Sequence, residues 1–97
     1  MTLKDFKKYM RENIGSTFST TMYKNINNPE IVWSPGIREL VFVDTVKFGF
    51  KTEKGISYND FPKASDFMVI TYQNKQELSF KLEVGFDNRY IIYTKTT

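Results

Sequence analysis

Only one stretch of the 97-residue chain repeats its apolar residues at helical spacing. In TLKDFKKYMRENI, residues 2 to 14, Leu3, Phe6 and Met10 fall three and four positions apart, with Ile14 extending the stripe. Thr2 followed by Asp5 is a capping signal, and Gly15 is a stop. One face of this helix is expected to dock. The other, carrying Lys4, Lys7, Lys8 and Arg11, is wet and basic.

After Gly15 the period changes to two. STFSTTMY alternates Phe18, Thr20 and Met22 against Ser19, Thr21 and Tyr23, the pattern of a half-buried strand. About fifteen residues from Lys24 to Arg38 then read as a stiffened connection, because Pro29 and Pro35 restrict the residues before them. ELVFVDTVKFGFKT, residues 39 to 52, reads as one continuous strand with Leu40, Phe42, Val46, Phe48 and Phe50 on a face, Asp44 the exception, and a bend or bulge at Gly49. TEKG turns the chain into ISYNDF, and PKAS leads into DFMVITY. Two more strands, ELSFKLEV and RYIIYTK, flank the turn residues GFDN.

The chain is therefore expected to be a single α+β domain. An N-terminal helix precedes a strongly curved antiparallel sheet of about five to six strands. This order resembles, in topology only and over residues 2 to 72, an SH3-like or Sm-like small barrel; a helix-capped β-roll is the alternative. A hydrophobic content of 40%, with nine Phe and six Tyr, suffices for a packed core and exceeds what disordered chains carry.

Composition narrows the chemistry. Without cysteine or histidine the chain lacks the usual zinc ligands and the commonest general base near neutral pH. Its carboxylates match no calcium-loop spacing, and no phosphate-binding glycine loop or nucleophile elbow is present. No enzyme activity, cofactor, metal or small-molecule substrate is expected. No window approaches the length needed to span a bilayer, and the cytoplasm of a bacterial host is the expected location. Eleven lysines against three arginines, seven asparagines and one alanine are the usage of an AT-rich genome, as in low-GC bacteria, their phages and mobile elements.

Two binding modes follow. Direct contact with single-stranded nucleic acid would use Tyr72, Tyr90 and Tyr93 as stacking platforms beside Lys75, Arg89 and Lys95, with Lys4, Lys7, Lys8 and Arg11 on phosphates. The net charge of +3 is weak support, since eleven acids are interspersed with fourteen bases. The preferred expectation is a protein partner. Size, composition and the missing catalytic groups resemble small phage or mobile-element inhibitors of nucleic-acid-handling systems, including anti-CRISPR-type proteins. The candidate contacts are Ile31, Trp33 and Arg38 in NNPEIVWSPG, where Trp33 is expected either to close over one end of the sheet as a core lid or to stand out as an anchor.

Overall fold

The computed structural model describes residues 2–25, 28–63, 72–74, 77–84 and 89–96. Helix α1 (Leu3–Glu12) precedes seven strands: β1 (Thr17–Asn25), β2 (Asn28–Val43), β3 (Lys47–Thr52), β4 (Gly55–Asp60), β5 (Tyr72–Asn74), β6 (Glu77–Val84) and β7 (Arg89–Lys95). The strands form one sheet in the order β4-β3-β2-β1-β7-β6-β5, with every neighbouring pair antiparallel. Among the described residues no pairing joins β4 to β5. The sheet is open, with a helix on one face, and the expected barrel closure is not seen.

The helix starts where its capping box predicts. Asp5 N donates to Thr2 Oγ1 at 3.2 Å, and Thr2 N donates to Asp5 Oδ2 at 3.0 Å. Phe6 and Met10 are fully buried, with Leu3 and Tyr9 packed beside them. Ile14 leaves the stripe, 49% exposed, because the helix has already ended: Asn13 Nδ2 donates to Tyr9 O at 2.8 Å. Gly15 then adopts φ 96°, a left-handed conformation, and its N–H reaches Leu40 O at 2.7 Å. That bond fixes the helix exit to the C-terminal part of β2.

Two connections differ from the sequence reading. The described residues of the expected connection, 24–25 and 28–38, are not a loop: they belong to β1 and β2, which pair from Thr17↔Glu39 to Asn25↔Asn28. The ladder tolerates two prolines because Pro29 and Pro35 both fall in gaps of the register, at or beside its bulges, where no N–H is required. Residues 39 to 52, in turn, are two strands. Asp44 Oδ1 accepts from the N–H groups of Val46 and Lys47, both at 2.8 Å, and this folds the chain into a turn. Val46 is left exposed at its tip.

The core lies between α1 and the face of the sheet that carries Phe18, Thr20, Leu40, Phe48, Phe50, Ile91 and Tyr93. Phe6 meets Phe48 and Phe61 edge-on, with ring centroids 6.2 and 5.9 Å apart, while Phe50 stacks on Tyr93 at 6.0 Å. Tyr9, Phe18 and Phe61 join the same aromatic cluster.

Candidate functional site

Strand β2 changes ladder partner along its length, from β1 up to Glu39 to β3 from Leu40 onward. Its ladder with β3 covers Leu40↔Phe50 to Val43↔Phe48, whereas the half from Asn28 to Arg38 pairs only with β1. Beyond Leu40 the two strands diverge, and a cleft of about 630 Å³ opens between that half of β2 and the β3–β4 hairpin. Trp33, Pro35, Ile37 and Arg38 line it from β2; Lys51, Thr52, Glu53 and Ser57 line it from the hairpin.

Arg38 is the unusual member. It stands two residues from Leu40 and directly opposite Phe18, so strand alternation puts it on the core-facing side. Only 8% of it is exposed. Its guanidinium carbon lies 4.5 Å from the centroid of Phe50 and 5.3 Å from that of Trp33, an aromatic cradle on two sides. Nη2 donates to Thr20 Oγ1 at 3.3 Å, and Nε, itself buried, finds no acceptor among the described residues. Nor does any described carboxylate pair with it; the ion pairs there are Lys8 with Glu12 and Lys24 with Glu30. Burial lowers its affinity for the proton, opposed by the neighbouring Tyr93. An arginine nonetheless stays charged. Burial likewise pushes the Tyr93 hydroxyl well above the ordinary tyrosine range, with Arg38 acting against it.

Trp33 is neither a core lid nor a free-standing anchor. At 38% exposure it covers the guanidinium with one part and leaves the rest in the cleft. Ile31, Val32 and Ile37, on the same half of β2, are also exposed. Of the expected trio, Trp33 and Arg38 line the cleft together, with Arg38 as its buried floor, while Ile31 is exposed on the same strand and is not among the lining residues.

The residues proposed for nucleic acid are not gathered in this way. Tyr93 is 1% exposed and packed against Phe48 and Phe50, which removes it as a stacking platform. Lys7 donates to Thr45 O at 2.8 Å and sits over Phe61, fastening α1 to the β2–β3 turn. Lys8 pairs with Glu12 on the exposed helix face, where Lys4 and Arg11 also lie, and Lys95 is half-buried. Tyr72 belongs to β5, and Arg89 and Tyr90 begin β7, two strands away. Lys75 lies outside the described residues. No group of acidic side chains among the described residues could hold a metal ion.

Sequence reasoning missed Ile37 and Lys51 as lining residues and did not foresee the burial of Arg38. The signal for Arg38 was available in its even spacing from Leu40. Comparison with family models, curated proteins and solved structures finds no match to the chain.

Proposed function

We propose that this chain is a non-enzymatic binding protein that docks a segment of another protein on the splayed half of β2. The observation that carries the reading is a half-exposed tryptophan beside a buried arginine that has no carboxylate partner among the described residues, in an open cleft. Aromatic residues and arginine at the centre of a contact surface are the side chains that dominate protein interfaces. Pro35 and Ile37 extend the apolar area around them. The scaffold suits the role, since a helix-capped, roll-like sheet holds β2 from one side and leaves its other edge available for a partner.

For the partner's identity the reading leans on composition. A small, AT-rich, motif-poor chain without histidine or cysteine fits a phage or mobile-element inhibitor of a protein that handles nucleic acid, acting in the cytoplasm of a bacterial host. The test is selection of a random peptide display library on the wild-type chain, alongside mobility-shift assays with single- and double-stranded nucleic acid. Selected peptides should lose about thirty-fold in affinity against Trp33→Ala, equivalent to about 2 kcal/mol. Failure to enrich any peptide, with retardation of single strands that collapses between about 50 and 200 mM salt, would replace this reading by direct nucleic-acid binding.

A further inference from the structure

The docking reading leaves open what the buried charge is for. We infer that the cleft is a carboxylate site, in which Arg38 binds the anion and Trp33 and Ile37 receive the apolar group that bears it. This inference rests on the docking reading and deepens it.

Three observations support the assignment. Arg38 is more than nine-tenths buried, lines the cleft, and keeps an Nε donor without an acceptor among the described residues. A buried cation lacking a counter-charge is unfavourable, and an arriving carboxylate supplies both the charge and paired acceptors that match the guanidinium fork. The surrounding charge is that of a monoanion site: Lys51 adds one cation and Glu53 one carboxylate. A phosphodiester chain, which needs a track of cations, would meet Glu53 and an apolar wall instead. That wall of Trp33, Pro35 and Ile37 favours a carboxylate attached to hydrocarbon.

Such a group has two sources in a protein partner, a chain terminus or an acidic side chain, and small probes separate them. Trp33 is the chain's single tryptophan and its ring lies 5.3 Å from the Arg38 guanidinium, so its fluorescence reports occupancy directly. With only three arginines, the Arg38 Nε–Hε resonance can also be assigned and followed. The probes, at constant ionic strength, are N-acetyl-leucine, its neutral analogue N-acetyl-leucinamide, N-acetylglutamic acid α-amide, and inorganic phosphate.

At least one carboxylate should bind saturably, shift the Arg38 resonance, and bind about ten-fold or more tightly than the neutral amide. Preference for N-acetyl-leucine assigns a chain terminus; preference for the glutamic acid derivative assigns a side chain. Arg38→Met should abolish the discrimination, and Lys51→Ala should weaken it about three-fold. The acid-to-amide ratio of the wild type decides the matter even where a variant does not fold. Equal binding of acid and amide overturns the carboxylate assignment, and so does phosphate binding tighter than either acid. If display-selected peptides still depend on Trp33 in those cases, the docking reading survives; if no peptide is selected, it falls as well.

Discussion

Replacing Arg38 by Met separates a structural arginine from one held for a ligand. Methionine keeps an unbranched stem against Phe50 and Trp33 and offers a thioether to the same rings, but removes the charge. On one side of the balance stands the buried Nε without an acceptor, whose desolvation costs about 1–3 kcal/mol. On the other stand the contacts with Phe50 and Trp33, about 0.5–2 kcal/mol each, and one long hydrogen bond to Thr20. These oppose one another, so the net change in stability should lie within about 1 kcal/mol of zero. For a domain of this size that is a shift in Tm of no more than about 8 °C in either direction. Thermal and urea melts followed by circular dichroism measure it. A structural arginine would behave differently, since breaking a satisfied buried pair costs about 3–5 kcal/mol. A loss of that size in the Met variant would refute the reasoning and return Arg38 to the core.

Phe6→Ala should destabilise by about 3–5 kcal/mol, because Phe6 is one of only two fully buried residues on α1 and a ten-residue helix does not stand alone; helical circular dichroism should fall with it. Tyr93 has its folded-state pKa raised by burial, so the stability that comes from keeping it neutral is whole below about pH 10 and declines as pH rises further. Tyr93→Phe should flatten the alkaline limb of a stability–pH curve, and an unchanged limb would assign the slope to other groups. At Gly49 an added Cβ would lie 2.5 Å from Ile56 Cγ2 and 3.1 Å from Tyr58 Cδ1. Gly49→Ala should therefore cost about 1–3 kcal/mol, and combining it with Ile56→Ala should return part of the loss in urea melts.

Where local pattern and tertiary role agree, the fold was legible in the residues. ELSFKLEV and RYIIYTK are β6 and β7 to the residue, the first because it alternates cleanly and the second because it is a short run rich in β-branched and aromatic residues after a turn-forming segment. The helix stripe was legible for Leu3, Phe6 and Met10, and failed at Ile14, where the cap at Asn13 ended the periodicity. Residues 24 to 38 misled because proline and asparagine disfavour strands on average, whereas a bulged ladder offers positions that need no N–H. Asp44 was read as an intruder in a strand when its side chain was making the turn. The site was legible as a region through Trp33. Its floor was hidden because a charged side chain defaults to the surface, and only alternation with Leu40 argues otherwise.

The strand order also divides the molecule in time. β1 to β4 and β5 to β7 are two meanders of consecutive antiparallel strands, and among the described residues they meet along a single seam, β1 against β7. Thr96 N–H bonds to Thr17 O across that seam although the two residues are 79 apart in the chain. Each hairpin closes a short segment, whereas the seam closes nearly the whole polypeptide, so its entropy cost is the largest and is met last. Refolding should then be gated by the zipping of Thr20 to Tyr93 and Met22 to Ile91, the register that carries the core into the second meander. Chevron analysis would show both a Gly55 substitution in the β3–β4 turn and a Met22 truncation acting on the folding limb, because the hairpin is already formed when the seam closes. A Met22 truncation acting only on the unfolding limb would mean that the seam closes after the barrier and does not set the pace.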